Sequence, residues 1–382
     1  MRLLTSKLDH ISHRGLGRSY GWTGIEIGCH AINMAQVRKV DDHWQLAAVW
    51  SVEHPTPYAM ESNRNTSTSD EVFGWLAADE ISEHGLAPTL ELLENLNSLF
   101  HGRNCAATLT DGMIAYRELE LPISDAIESN SMVSSEIAIE SECDLEELST
   151  GCWELPPNRP RAETSSFGAV SLKKSTALLV ASDLLNAGFE CQTLDAVPCA
   201  MARATSMVVA DSSHSTLAVD LGYHQATVTL VMAGKPLMSR ALRSFGLIPL
   251  LEQISRSFEI GMSDSQTLLF QSSSTRNGHL EVQDEFANPL QQTLSGFLQL
   301  LSNEIEKTVH YANRAYRSMT PCQLLLMGAG VRIPNVDQAI EGRVGLPTHT
   351  WAIDLSENLF GNQHVATYAV ASGLSMLAWE SK

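Results

Sequence analysis

Two acidic residues each stand two positions before a glycine, and this pattern could bind phosphate. Glu26 precedes Gly28, and Asp220 precedes Gly222, each at the end of a short apolar run. A glycine in a strand-to-strand turn lets backbone N–H groups face the space above the turn, where they form a nest for an anion. The nearby acid can hold a hydrated divalent cation against the same phosphates. Two such turns that face each other would bind a nucleotide tail from both sides.

The segments around the two acids also repeat. The run that contains Glu26 leads to strands predicted over residues 31–40 and 44–52, with a turn at Asp41 and Asp42 between them. The run that contains Asp220 leads to strands predicted over 226–232 and 237–242, with a turn at 233–236. The two acids lie 194 positions apart in the chain. A strand–turn–strand unit that is duplicated in this way predicts a two-lobed α/β protein.

A third glycine cluster, Gly328-Ala329-Gly330, follows a buried apolar strand predicted over residues 323–327. Apolar residues at helical spacing predict a long amphipathic helix over about 286–317 before this strand. Shorter helices are predicted after it, over about 335–344 and 364–379. Glycines at the carboxyl end of a buried strand let a ligand approach the backbone closely. The sequence therefore predicts that this cluster completes the site between the lobes.

The composition excludes several classes of protein. The 382 residues include 44 acidic and 25 basic side chains, a net charge of −19, which is unsuited to the phosphate contacts that nucleic acids require. Hydrophobic residues make up 44% of the chain, so a sizeable core is expected. No run approaches the ~18 apolar residues of a membrane-spanning helix. The seven cysteines are scattered without a C-x-x-C pair, which indicates reduced thiols rather than disulfides or a zinc site.

Four polar segments are expected at the surface. Residues 1–20 hold four basic side chains against one acid, and we expect a flexible basic arm. Whether this arm is a plain leader or rests on an anionic membrane surface stays open. Residues 61–70 and 271–278 are expected to be loops. An acidic cluster is expected to be a solvated helix face, or else the receiver of a basic juxtamembrane tail; it consists of Glu136, Glu140, Glu142, Asp144, Glu146 and Glu147.

The ordered set of motifs resembles the actin-like ATPase superfamily and, more narrowly, the PilM family of type IV pilus assembly proteins. The resemblance covers about residues 20–380. The stretches that carry it are Gly24-Ile25-Glu26-Ile27-Gly28, Leu119-Glu120-Leu121-Pro122, Leu194-Asp195-Ala196-Val197-Pro198, Val219-Asp220-Leu221-Gly222, Gly234-Lys235-Pro236-Leu237 and Met327-Gly328-Ala329-Gly330. It implies a two-lobed, ribonuclease H-like α/β fold. The first lobe would span residues 21–213, with an inserted subdomain at about 118–187. The second would span 214–382, with a smaller subdomain at about 246–318.

The resemblance also implies a role. The protein would be a cytoplasmic component at the inner-membrane face of a type IV pilus, or of a related secretion or competence machine. It would bind the cytoplasmic tail of a PilN-like membrane protein between the first lobe and the inserted subdomain. Other platform proteins are further possible partners, membrane association would run through the partner, and no nucleic acid is expected. ATP and magnesium would occupy the cleft, with Glu26 and Asp220 beside the metal; the nucleotide-binding positions would be Glu26, Gly28, Asn33, Asp220, Gly222, Gly328, Ala329 and Gly330.

The two turns depart from the family pattern. Glu26 stands in place of an aspartate, and Asn33 in place of a lysine that would meet the phosphates. Losing that point charge should cost roughly 1–3 kcal/mol of binding. The small hydroxyl residues are also replaced, by Cys29, His30 and Ala31 in the first turn and by Tyr223, His224 and Gln225 in the second. We therefore expect weakened ATP binding, at most a weak ATPase activity, and no assigned catalytic residue.

Other hypotheses stay open at this point. An ATPase or a sugar-kinase-like phosphotransferase of the same fold would need intact phosphate turns and a catalytic aspartate between the lobes. A cell-division actin of the FtsA type would end in a membrane helix, which the sequence does not show. His30 and His224 could be metal ligands or general bases, but polar turn residues fit better. Cys29 could be a nucleophile, but no paired base is evident, so a small buried cysteine fits better.

Overall fold

The computed structural model describes residues 20–53, 93, 96–109, 113–156, 164–210, 213–271, 284–317, 319–355 and 364–380. The predicted loop at 61–70, residues 272–278 of the loop predicted at 271–278, and residues 1–19 of the predicted basic arm lie outside these ranges. Gln271, which was also predicted to be in a loop, is the last residue of a helix. In the described ranges the strands are β1 (Thr23–Ile27), β2 (Ala31–Val40), β3 (His43–Glu53), β4 (Asn104–Leu109), β5 (Ala115–Pro122), β6 (Leu148–Glu154), β7 (Thr164–Lys173), β8 (Glu190–Leu194), β9 (Ser215–Leu221), β10 (Ala226–Met232), β11 (Lys235–Leu242), β12 (Pro321–Met327), β13 (Thr348–Thr350) and β14 (Asp354–Leu355).

The helices of the same ranges connect and cover these strands. They are α1 (Ala126–Glu140), α2 (Lys174–Asn186), α3 (Val197–Val208), α4 (Leu247–Phe258), α5 (Met262–Gln271), α6 (Asp284–Ala315), α7 (Val336–Val344), α8 (Ala369–Ser375) and α9 (Leu377–Glu380). Short 3-10 helices occur at Leu96–Leu99, Leu145–Glu147, Ala329–Arg332 and Val365–Tyr368. None of the helices in the described part of the chain is both long and apolar enough to cross a membrane.

Two mixed sheets form the cores of the two lobes. The first has the strand order β14-β3-β2-β1-β4-β8, and the second has the order β11-β10-β9-β12-β13. In each sheet an antiparallel hairpin continues into parallel strands, because β1 pairs with β4 and β9 pairs with β12 in parallel. The central strands are buried on both faces, which explains why β9 and β12 read as nearly continuous apolar runs.

The predicted duplication is present in the strand pairing itself. Glu26 lies opposite Asn33 in the β1–β2 hairpin, and Asp220 lies opposite Thr227 in the β9–β10 hairpin. Both members of the second pair are 194 positions after the corresponding members of the first. The two hairpins therefore share one register as well as one sequence pattern. The strands predicted at 31–40 and 226–232 have these bounds in the structure.

A third, three-stranded antiparallel sheet of order β5-β7-β6 coincides with most of the predicted inserted subdomain, although β5 begins three residues before residue 118. Helix α1 packs on it through Val133 and Ile137, which share a small core with Phe167 of β7. Asp125 caps the helix, because its carboxylate accepts the N–H groups of Ile127 and Glu128. This sheet adds a separate layer beside the first lobe.

Hydrogen bonds of Trp153 and Glu118 connect the third sheet to the second lobe. The Trp153 Nε1–H group on β6 donates to the carbonyl oxygen of Pro236 at 3.3 Å. The Tyr316 hydroxyl donates to the Glu118 carboxylate at 2.6 Å and also lies 2.9 Å from the Leu237 carbonyl oxygen. Burial raises the pKa of Glu118, although the bond from Tyr316 acts in the opposite direction. The inserted layer is thus attached to the second lobe by polar contacts.

Helices α3 and α8 pack against each other between the two main sheets. A Cβ atom on Gly373 of α8 would lie 2.8 Å from the Ala200 carbonyl carbon of α3, so the two backbones are in direct contact. A Cβ on Gly24 of β1 would similarly lie 2.8 Å from the Ala371 carbonyl carbon. Glycine is required at both positions because any side chain would overlap backbone atoms.

A buried ionic network holds α3 to its surroundings. Arg203 of α3 forms an ion pair with Asp195, which follows β8 and is fully buried. Its Nε–H group also donates to Glu380 of α9 at 3.0 Å. Asp195 in turn accepts the N–H group of Ala196 at 2.9 Å. Buried charges of this kind are tolerated only when each is paired and hydrogen-bonded.

The predicted helices are present with one difference. The long helix predicted at about 286–317 is α6, and the helix predicted at about 335–344 is α7. The helix predicted at 364–379 is divided into a 3-10 turn, α8 and α9. At this division Ser375 accepts the N–H group of Val37 and donates to the carbonyl oxygen of Trp22, which fixes the chain to the first sheet. The division of the chain into lobes at 213/214 stays a prediction.

Candidate functional site

The two glycine turns and the third glycine cluster meet around one pocket between the sheets. Its volume is about 170 Å³. Of the predicted nucleotide positions, Gly330 alone is not part of its lining. The lining residues are Glu26, Ile27, Gly28, Cys29, His30, Ala31, Asn33, Leu109, Val197, Asp220, Gly222, Tyr223, His224, Gln225, Thr227, Gly328, Ala329 and Thr367. The structure therefore brings together the two halves of the predicted site, and whether they bind a nucleotide stays a prediction.

The two turns are built in the same way. The Gly28 N–H group donates to the Ala31 carbonyl oxygen at 3.0 Å, and the Gly222 N–H group donates to the Gln225 carbonyl oxygen at 3.1 Å. The second turn is further fixed to the start of α4, where Leu247 and Ile248 donate to the carbonyl oxygens of Gly222 and Tyr223. The glycine N–H groups are thus used within the turns and do not face an anion.

The first acid is held by its cross-strand partner. The Asn33 side-chain amide donates to the Glu26 carboxylate at 3.2 Å, and its oxygen accepts a hydrogen bond from the Ser51 hydroxyl at 2.7 Å. Asn33 therefore orients Glu26 and brings no positive charge to the pocket. The corresponding residue of the second hairpin is Thr227, which also lines the pocket. Thr227 was not predicted from the sequence, although counting 194 positions onward from Asn33 would have identified it.

The second acid lies against the third glycine cluster. Asp220 is 8% exposed, and a Cβ atom on Gly328 would overlap its Oδ1 atom. Gly328 also has a φ angle of +86°, which disfavours any residue with a side chain. Gly330 is required for a different reason, because a Cβ there would lie 2.6 Å from the Leu221 Cβ atom. These glycines bring the β12 loop against the β9 turn.

An aromatic contact joins the two turns across the pocket. The rings of His30 and Tyr223 are in contact, with centroids 4.2 Å apart and planes at 33°. His30 belongs to the first turn and is 2% exposed, whereas Tyr223 belongs to the second turn and is half-buried. The pair fills the space directly between the turns. The sequence interpretation of His30 and His224 as simple polar turn residues missed this contact.

The described side chains that line the pocket supply no positive charge at neutral pH. Burial and the neighbouring His30 lower the pKa of His224 to about 4, so this imidazole is neutral at pH 7. Among the lining residues that the structure describes there are two carboxylic acids and no lysine or arginine. In the same part of the chain, no group of three or more His, Cys, Asp or Glu side chains could hold a metal ion. The negative charge of a triphosphate in this pocket would lie near two carboxylates, and no lysine or arginine among the described lining residues would balance it.

The pocket therefore fits a magnesium nucleotide poorly. Sites for ligands of drug size are commonly about 300–1,000 Å³, which is larger than this pocket. An aromatic pair lies between the turns, where phosphate would be bound. Glu26 and Asp220, which were predicted to lie beside the metal, both line the pocket. That they hold magnesium stays a prediction.

Protonation of His224 should make stability depend on pH. Its pKa of about 4 in the folded chain lies below the ordinary value of 6.5, so the unfolded chain binds more protons between these values. Stability is therefore full above pH 6.5 and falls as the pH is lowered toward 4. The expected loss is about 2 kcal/mol at pH 5, measured by urea unfolding. The His224→Gln variant should lack this part of the loss; an unchanged pH profile in that variant would show that another group titrates.

A larger cavity of about 650 Å³ lies on another side of α3. Its walls come from α3, from the β10–β11 turn, from Trp153 of the third sheet and from the C-terminal segment. Part of the lining is apolar, through Trp153, Val209, Val231, Pro236 and Met376. Charged groups lie beside these residues; they are Arg203, Lys235, His214 and Glu380. The sequence predicted a groove between the first lobe and the inserted subdomain without naming residues, and this cavity borders both.

The comparisons with known proteins agree with this architecture. The chain matches a chain of a PilM–PilN type IV pilus biogenesis complex with a TM-score of 0.70 at 16% identity, covering 94% of this chain and 98% of that chain. It also matches the ethanolamine utilization protein EutJ from Carboxydothermus hydrogenoformans, with a TM-score of 0.52 at 10% identity, covering 94% and 90%. No protein-family model and no curated protein matches the sequence. The likeness shows the fold, and the predicted actin-like ATPase fold is confirmed.

Proposed function

We propose that this protein is an adaptor of the inner-membrane platform of a type IV pilus or of a related secretion or competence machine. In this role it binds the cytoplasmic tail of a PilN-like membrane protein. The observation that carries the proposal is the overlap of nearly the whole chain with a chain from a PilM–PilN complex. The protein would act at the cytoplasmic face of the inner membrane and reach the membrane through its partner. Other platform proteins are further candidate partners.

We place the tail in the 650 Å³ cavity beside α3. The cavity borders the inserted sheet at Trp153 and the first lobe at α3, the two parts that the sequence resemblance implies, although most of its lining belongs to the predicted second lobe. Its apolar walls suit one or two hydrophobic side chains of a short peptide, which would gain free energy by leaving water. The exposed acids at the end of α1 provide a negative surface for basic residues of a juxtamembrane tail.

Peptide binding tests this proposal. A peptide that copies the cytoplasmic N-terminus of a PilN-like protein encoded beside this gene should bind with micromolar affinity or better in calorimetry. Ala210 lines the cavity and is exposed, so Ala210→Glu should place a carboxylate among the apolar walls without disturbing the core. We expect this variant to weaken binding at least tenfold, which is about 1.4 kcal/mol.

The control for this variant is Ala352→Glu. Ala352 is also an exposed alanine but does not line the cavity, so its substitution should leave the peptide affinity unchanged. No peptide binding to the parent protein would contradict the adaptor role itself. Equal weakening by both variants, or by neither, would contradict the position of the tail while leaving the adaptor role intact.

Nucleotide has at most a secondary part in this function. The lack of a lysine or arginine among the described lining residues, the His30–Tyr223 ring contact and the volume of the cleft pocket all disfavour tight binding of ATP with magnesium. The alternative is an ATPase or a sugar-kinase-like phosphotransferase of the same fold. Steady ATP turnover by the purified chain that disappears in Asp220→Ala would favour this enzyme over the adaptor.

A further inference from the structure

We infer that the aromatic pair His30–Tyr223 closes the cleft in place of a nucleotide, and that Tyr223 is the residue that excludes nucleoside triphosphates from it. This inference concerns the cleft pocket alone and does not depend on the partner tail proposed above. It assigns the poor fit between the pocket and a nucleotide mainly to one side chain, that of Tyr223.

The geometry gives the first argument. A phosphate bound by both turns would have to lie between them, close to the backbone that follows each glycine. His30 and Tyr223 project from these two turns, and their rings are in contact at a centroid distance of 4.2 Å. Two aromatic rings at this distance leave no room for a phosphate group between them. His30 is 2% exposed, so its ring is held within the protein at this contact.

The rigidity of the second turn gives another argument. The Ile248 N–H group donates to the Tyr223 carbonyl oxygen at 2.8 Å. Gly246 packs so closely that a Cβ atom there would lie 2.6 Å from the Gln225 nitrogen and nearer still to the Tyr223 carbonyl oxygen. The backbone of Tyr223 therefore has little freedom to move away when a ligand approaches. The tyrosine is a fixed part of the cleft wall.

The connection between the lobes gives a third argument. In a two-lobed protein that binds nucleotide, the ligand itself bridges the lobes. Here His30 of the first lobe contacts Tyr223 of the second, so the chain supplies that bridge. The bonds from Trp153 to Pro236 and from Tyr316 to Glu118 join the lobes at a second place through the inserted sheet. Closure of the cleft then needs no nucleotide.

The test distinguishes the steric effect of the Tyr223 ring from the effect of the missing positive charge, and it uses four versions of the 382-residue chain. They are the parent, Tyr223→Ser, Asn33→Lys and the double variant Asn33→Lys/Tyr223→Ser. The serine removes the ring, whereas the lysine restores the cation that the first turn lacks. Binding of ATP is measured by calorimetry with magnesium present, and far-UV circular dichroism confirms that each variant is folded.

We expect Tyr223→Ser to tighten ATP binding at least tenfold, both in the parent and in the Asn33→Lys background. Tyr311→Ser is the matched control, because Tyr311 is an exposed tyrosine of α6 that does not line the pocket. It should leave ATP binding unchanged. The inference is overturned if the folded double variant binds ATP no more tightly than Asn33→Lys alone, or if the parent already binds as tightly as Tyr223→Ser.

A second measurement does not need ATP at all. Cys29 lines the pocket beside His30 and is half-buried. If the aromatic pair closes the cleft, Tyr223→Ser should raise the rate at which a thiol reagent labels Cys29 by fivefold or more, measured by mass spectrometry of its peptide. Cys322 is exposed and serves as the internal reference. Equal labelling of Cys29 in the parent and in Tyr223→Ser would contradict the closure.

Discussion

Replacing Arg203 with leucine is expected to lower the free energy of unfolding by about 3–5 kcal/mol. Arg203 is 7% exposed and pairs with Asp195, which is fully buried. Removing the guanidinium leaves the Asp195 carboxylate in an apolar environment without its cation, and that uncompensated charge is the main source of the loss. Urea unfolding followed by tryptophan fluorescence measures the effect.

Two further variants make this prediction specific. Arg343→Leu removes an exposed ion pair with Glu306, and it should cost less than about 1 kcal/mol because water screens both charges. The double variant Arg203→Leu/Asp195→Leu removes both buried charges and should recover part of the loss. If Arg203→Leu proves as mild as Arg343→Leu, the buried pair is not what holds α3 in place.

The Gly24→Ala variant is expected to lose about 3 kcal/mol of stability or more, which is at the upper end of the cost of overpacking. Its Cβ would lie 2.8 Å from the Ala371 carbonyl carbon and 2.9 Å from the Ser375 nitrogen. Both are backbone atoms of helix α8 or its end, so no side-chain rotation can relieve the overlap. The helix would have to move away from the first sheet, which opens the core beneath the cleft.

Gly296→Ala is the control for this prediction. Gly296 lies inside helix α6, and a Cβ there would meet no atom within 4 Å. Alanine is the better helix former, so this variant should gain about 0.5–1 kcal/mol. The melting temperature of each variant, compared with that of the parent, shows directly whether the substitution stabilises or destabilises the protein. A neutral Gly24→Ala would show that α8 and β1 are less tightly packed than the structure has them.

The sequence predicted the fold well in the two segments that share the duplicated strand–turn–strand pattern. Glu26 and Asp220 share a spacing to glycine, and this spacing is visible because each acid ends a buried strand whose apolar run is distinctive. The same repeat predicted that the two turns meet, since equivalent turns in two lobes face each other. The long helix α6 was equally clear, because its apolar residues keep helical spacing for 32 residues.

The features that the sequence did not reveal depend on contacts between distant segments. His30 was interpreted from the sequence as a polar turn residue, and only the approach of the two lobes places its ring against Tyr223. Arg203 stands in a helix of small apolar residues, so its partner Asp195 could not be recognised from spacing alone. The division of the last predicted helix was missed for a similar reason, because Ser375 bonds to Val37 and Trp22 of the first sheet.

The completion of the first sheet by late segments of the chain has a consequence for synthesis. Strand β14 pairs with β3, and helix α8 covers the buried faces of β1 and β2, although residues 354–375 leave the ribosome long after residues 23–53. At about 5–20 residues per second, this delay is roughly 15–70 s. The nascent first lobe carries an uncovered apolar face throughout that time. The first lobe therefore completes its native core only after residues 354–375 have emerged, and its folding yield in the cell should depend on chaperones that shield this face.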